Sequence, residues 1–190
     1  MDKPFGVSLT RRLSKLYRTS PAVETIFLVL LGVIGVTLNA YFRLPIKVPG
    51  HNGLMWIALL MVGRLVSQRR WAASISSASA AAISLLPIMG FKDPLDSITF
   101  LLPGIVLDLG FMISPRLVVS IWAIALLGAF AHATKPVAKL LASLGSGVLY
   151  PSLIAGVFYP LSLHVLFGAA GAILAAISVK LMRPRQIPPP

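Results

Sequence analysis

Residues 22–41 read AVETIFLVLLGVIGVTLNAY, a run with one carboxylate that is long enough, as a helix, to cross a bilayer. Charge is scarce along the rest of the chain too. Only 12% of the 190 residues are charged, 57% are hydrophobic, and mean hydropathy is +0.88. A soluble domain of this length has no use for so much apolar surface. The chain therefore reads as an all-α integral membrane protein, a compact bundle of transmembrane helices.

Six spans are predicted, at 22–41, 53–66, 71–89, 98–113, 116–132 and 161–182, inside a membrane domain at 21–183. Ser20-Pro21 supplies an N-cap and a first-turn proline, and Glu24 suits that first turn, as a cap or as a partner of Arg18. Residues 1–20 carry Lys3, Arg11, Arg12, Lys15 and Arg18. They read either as an amphipathic segment on the membrane surface, with Phe5, Leu9, Leu13, Leu16 and Tyr17 on one face, or as a disordered basic arm. Residues 134–160 mix Lys135, Pro136, Lys139, three glycines and Pro151 into apolar sequence. They read as a long outer loop holding an amphipathic or re-entrant helix, with a seventh span as the alternative. The proline-rich tail at 184–190 reads as disordered.

With the N-terminus inside and six spans, twelve of the 17 basic residues fall on the cytoplasmic side. Arg43, Lys47, Lys92, Lys135 and Lys139 fall outside. This is a positive-inside bias, and it predicts both termini in the cytoplasm and a multi-pass protein of the cell (inner) membrane. The net charge of +12 sits in tails and short loops, so anionic membrane lipids account for it better than nucleic acid does.

The same orientation gathers polar groups at the outer face. The first outer stretch, RLPIKVPGHNGLMW at 43–56, holds two prolines that stiffen it and precedes a short second helix. It reads as an ordered lid over a small-molecule ligand. Candidate ligand-binding residues are Asn39, Lys47, His51, Asn52, Trp56, Asp96, Tyr159 and His164. The aromatic rings would stack on the ligand while Lys and Asp groups hold its polar edge.

Three further features stand out. Asp108 is the one carboxylate deep in a predicted span, at the inner depth of Arg64. A buried ion pair between them is the structural reading, and ligand contact or proton coupling the sharper one. Gly32 and Gly35 thin one face of the first helix, and Ala73, Ser77 and Ala81 form a small-xxx-small row on the third. Such faces serve packing within the bundle or docking of another membrane subunit. Finally, the chain has no cysteine, HExxH pair, phosphate loop or GxSxG elbow. Its three histidines lie far apart in sequence, and no metal site or cofactor is expected.

Six spans in 190 residues, both ends inside, a proline-bearing first outer loop, a short second helix and the run FLLPGIVLDLG at 100–110 resemble a known family. These features are similar to the substrate-binding (S) components of energy-coupling factor (ECF) transporters. The resemblance implies high-affinity capture of a vitamin or related micronutrient from outside. It also implies release inside through a coupling transmembrane subunit and two ATPase subunits. The family's AxxxA-type docking motif in helix one is replaced here by Gly32 and Gly35 at i,i+3, which moves the expected docking face toward helix three. The alternatives are an accessory subunit of a larger membrane complex and a small lipid-modifying enzyme that would pair Asp108 with a histidine.

Overall fold

A computed structural model describes residues 20–42, 48–113, 120–147, 150, 153–154 and 156–182. Among them are six α-helices and no strand: α1 (Pro21–Tyr41), α2 (Gly53–Val66), α3 (Ala72–Ser84), α4 (Leu95–Ile113), α5 (Ile121–Ser146) and α6 (Phe158–Leu181). Residues 1–19 of the expected basic segment, the whole proline-rich tail at 184–190, and Arg43, Pro45 and Lys47 of the lid lie outside the described residues.

Four of the helices, α1, α4, α5 and α6, are long and apolar enough to cross a membrane. Large apolar side chains face outward along them, among them Ile26, Leu30, Phe130 and Leu166. In water such a surface would drive aggregation, whereas in lipid it is the solvated face. The other two, α2 and α3, have 14 and 13 residues. At 1.5 Å per residue each rises only roughly 20 Å.

Local chemistry sets the boundaries. Ser20 Oγ accepts the Val23 N–H at 3.4 Å, and Pro21 follows at the first turn, where its missing N–H costs nothing. α3 ends at Ser84, short of the predicted 89, because Pro87 has no N–H to continue the ladder. A 3-10 turn at Pro87–Met89 takes over and closes at Gly90, φ 71°. α4 starts earlier than predicted because Asp93 Oδ1 accepts the Leu95 N–H at 3.0 Å.

The largest correction concerns residues 134–160. They do not form a long loop up to Pro160. α5 runs unbroken through Lys135 and Pro136 to Ser146, and Gly147 caps it in the left-handed region at φ 71°. A proline inside a helix is tolerated where neighbouring helices support the backbone, and Pro136 is buried among them.

α2 is the axis of the bundle and touches all five other helices. It buries Trp56, Ile57, Leu60, Met61 and Leu65 in the common core. The aromatic part of that core is an edge-to-face chain, Trp56 to Phe100 to Phe91, with ring centroids 5.3 Å apart at each step.

α3 lies between α1 and α4, and its small residues are what allow it. Ser76 Oγ donates to Leu28 O at 2.8 Å and Ser79 Oγ to Val29 O at 3.0 Å. A Cβ added to Gly32 would strike Ser76 O and Ser79 Oγ. On the other side, Gly104 of α4 rests on Ala73 and Ser77, both fully buried. Gly35 faces the ring of Trp56, and Ala81 packs against the core. These five positions were candidates for docking a second subunit. Gly32, Gly35, Ala73 and Ser77 make close contacts within the chain, the packing alternative, while Ala81 is only partly buried. In lipid, helices associate through such close van der Waals contact.

The bundle is tied at the end where α2 meets α3. Glu24 Oε1 accepts from Ser67 Oγ and the Gln68 N–H (3.0 Å), while Oε2 lies 3.4 Å from Arg69 Nε. Its described partners are therefore the α2–α3 turn, and Arg18 is outside the described residues. Asp108, fully buried, accepts the N–H groups of Ala73 (3.2 Å) and Ser74 (2.7 Å). It thus serves, from α4, as the cap that Trp71 does not supply to α3. Arg64 Nε stands 3.2 Å from Asp108 Oδ1 as an ion pair without hydrogen-bond geometry, and its guanidinium lies 4.5 Å from the Phe111 ring centroid.

This geometry predicts unequal losses on detergent-solubilised protein. Asp108→Asn should lower stability by about 3 kcal/mol, because it strands Arg64 and weakens the α3 cap. Arg64→Gln should cost less, since Asp108 keeps two N–H donors. Thermal melts of both single variants and the double variant should show coupling of about 1–3 kcal/mol. Losses that simply add would remove the ion pair as a source of stability.

Candidate functional site

At the opposite end the short α2 leaves room. A cavity of about 230 Å³ opens there between α2, α4, α5 and α6, roofed by residues 48–52. Asn39, His51, Asn52, Trp56 and His164, all expected on the ligand, line it. Two other candidates are not in the lining, and a third is not described. Asp96 is not in the lining, and its Oδ1 sits 3.6 Å from Lys139 Nζ. Tyr159 is half exposed and also outside the lining. Lys47 is outside the described residues. Asp108, the sharper functional candidate, is at the far end of the bundle and does not reach the cavity.

The unpredicted wall comes from α5. His132, Lys135, Pro136 and Lys139 all face the cavity. They recur at three- and four-residue spacing, the pattern of one helical face. That spacing was present in the sequence, but the assumption that Lys135-Pro136 begins a loop hid it. Thr99 and Phe100 of α4 complete the opposite wall.

All three histidines converge on the cavity, each held by a backbone carbonyl. His51 Nδ1 is 2.6 Å from Val48 O, His132 Nε2 is 3.2 Å from Gly50 O, and His164 Nδ1 is 2.7 Å from Pro160 O. A carbonyl only accepts, so the nitrogen facing it carries the proton. In the neutral ring the other nitrogen is an acceptor. The rings of His132 and His164 lie 4.6 Å apart at 32°. No group of three His, Cys, Asp or Glu side chains suited to a metal ion occurs among the described residues.

The roof sits directly on these rings. Gly50 has φ 82°, a conformation that favours glycine, and a Cβ there would lie 2.9 Å from His164 Nδ1. A Cβ on Gly53 would fall on the imidazole of His132. Sequence reasoning read this segment as stiff because of its prolines. The structure shows the glycines to matter as much, since they let the backbone touch the histidines.

Charge in the site is uneven. Lys139 Nζ is 3.3 Å from Asp93 Oδ2 as well as 3.6 Å from Asp96, so two carboxylates offset it. Lys135, one turn earlier, has its Nζ 5.4 Å from the centroid of Phe100. Trp56 Nε1, His51 Nε2 and His132 Nδ1 are buried and have no hydrogen-bond partner. Donors, acceptors and a cation surround a space with an aromatic wall, an arrangement able to hold a small polar ligand.

Gly53→Ala tests the roof. The added methyl should displace His132 and lower stability by about 1–3 kcal/mol, as overpacking does. His132→Ala in the same chain should recover most of that loss. A Gly53→Ala protein that melts like the parent would show that the roof is not seated on His132.

Compared with family models, curated proteins and solved structures, the chain matches none.

Proposed function

We propose that this protein is a binding subunit of the cell (inner) membrane, of the kind that S components of ECF transporters represent. It crosses the bilayer six times with both termini in the cytoplasm. It captures a small nutrient, a vitamin or related micronutrient, from outside and hands it to a coupling transmembrane subunit driven by two ATPases. The observation that carries the reading is the cavity beneath residues 48–52, where polar groups from five separate segments meet an aromatic wall. Pockets of that make-up are the usual home of small ligands.

Two further features support it. Arg64, Arg69 and Arg70 lie at the end of the bundle opposite the cavity, as the positive-inside rule asks if the cavity opens outward. The short α2 and α3 would cross by local thinning of the bilayer, while the longer α5 would carry Lys139 to the outer interface.

Purification from native membranes in mild detergent, followed by native mass spectrometry, tests the proposal. The expected result is a bound small molecule together with a membrane partner and a pair of ATPases. Asn52→Ala should weaken retention of that molecule by about threefold to tenfold, the loss of one neutral hydrogen bond. A single cysteine replacing exposed Lys92 should react with an impermeant reagent from outside intact cells. Recovery with an unrelated complex and no small molecule would favour an accessory subunit and reject the proposal. Labelling of residue 92 only after permeabilisation would reject the topology.

A further inference from the structure

The charge and hydrogen-bonding inventory of the cavity defines a ligand class. The argument rests on reading the cavity as the ligand site. Its lining contains two lysines and no carboxylate. Lys139 is offset by Asp93 and Asp96, whereas no carboxylate among the described residues lies within 4.0 Å of Lys135. Lys135 is half-buried and faces the ring of Phe100. Asp96 and Asp93 act on Lys135 only at longer range than an ion pair. A cation drawn out of water without a contact partner is costly, and a bound anion would reduce that cost.

A second, independent observation concerns the neutral groups. Trp56 is 3% exposed, and its indole N–H, which can only donate, has no partner. His132 is also 3% exposed. Its Nε2 is committed to Gly50 O, which leaves Nδ1 as an unpartnered acceptor. His51 repeats the pattern, with Nδ1 on Val48 O and Nε2 unpartnered. The cavity thus offers a cation and a donor on one hand and imidazole acceptors on the other. At about 230 Å³ it is smaller than the roughly 300–1,000 Å³ of sites for drug-sized molecules.

We infer that the ligand is a small, flat organic carboxylate that also bears an O–H or N–H donor. Its carboxylate pairs with Lys135, its ring lies against Phe100 and Trp56, and its donor faces His51 or His132. The carboxylate is assigned to a free small molecule, and the last arm of the test separates that from a lipid headgroup.

The test uses three probes of one shape and different charge: 4-hydroxybenzoate, 4-hydroxybenzamide and 4-hydroxybenzylamine. Each is titrated into the purified full-length protein at constant ionic strength, and binding is read by thermal shift and by tryptophan fluorescence. The acid should bind about tenfold more tightly than the amide, the step from a neutral to a charge-assisted hydrogen bond. The amine should bind weakest. Lys135→Met should abolish the preference for the acid, and Lys135→Arg should keep it, which guards against a folding defect in the first variant. Equal binding of acid and amide, or preference for the amine, would overturn the carboxylate assignment while leaving a ligand cavity in place. Binding of none of the three would overturn the assignment, and absence of any copurifying molecule as well would overturn the cavity reading with it. A final arm compares nanodiscs of phosphatidylcholine with and without phosphatidylglycerol. Lys135-dependent protection by the anionic lipid, with none from the acid, would assign the site to a headgroup and reject the inference.

Discussion

α2 occupies the centre of the bundle, buries eight of its 14 residues and yet rises only roughly 20 Å. Much of the structure follows from that mismatch between a central position and a short length. Five longer or flanking helices close around α2, and where it stops the bundle cannot fill its own interior. At one end the shortfall is made up by side chains, Asp108, Arg64 and the Glu24 clasp. At the other it is left as the cavity, with residues 48–52 lowered into it as a roof.

The two ends carry opposite kinds of polar chemistry for a physical reason. Near the α2–α3 turn both carboxylates bind backbone N–H groups and have an arginine at hand, although Arg64 Nε, Arg69 Nε and Ser74 Oγ there lack hydrogen-bond partners. The carboxylates tie separate helices together, so this end behaves as structure. At the cavity end Trp56, His51 and His132 keep polar atoms without partners, and Lys135 has no carboxylate within ion-pair distance among the described residues. Local incompleteness of that sort lowers stability and is characteristic of sites that complete themselves with a ligand.

Close backbone contact is the second device that recurs. Ser76 and Ser79 hydrogen-bond across to α1, Gly32 and Gly104 admit α3 on either side, and Gly53 admits the ring of His132. In lipid there is no apolar driving force to bring helices together, so the absence of side-chain bulk does the work that Leu and Phe do in water. The same residue types seen from sequence alone look like an external docking face, since the pattern does not state which neighbour it accepts.

The amino-acid sequence by itself determined the solvent and the class of fold. Uncharged apolar runs leave helices as the way to satisfy the backbone in lipid, and α1, α2 and α6 lie close to where those runs and their proline and glycine boundaries put them. It also pointed to residues 43–56 as an ordered segment over a site, because that segment packs histidine, asparagine and tryptophan beside two glycines and two prolines; of these, 48–53 and Trp56 line the cavity. Only the tertiary structure decided that Pro136 does not end α5. A proline's effect depends on whether neighbours hold the helix together around it, and that is invisible along one chain. That decision carried Lys135 and Lys139 from a supposed loop to the wall of the cavity, beside His132. It also paired Asp96 with Lys139 and left Lys135 without a contact ion pair among the described residues, because charge pairing is settled by distances across helices rather than by order along them.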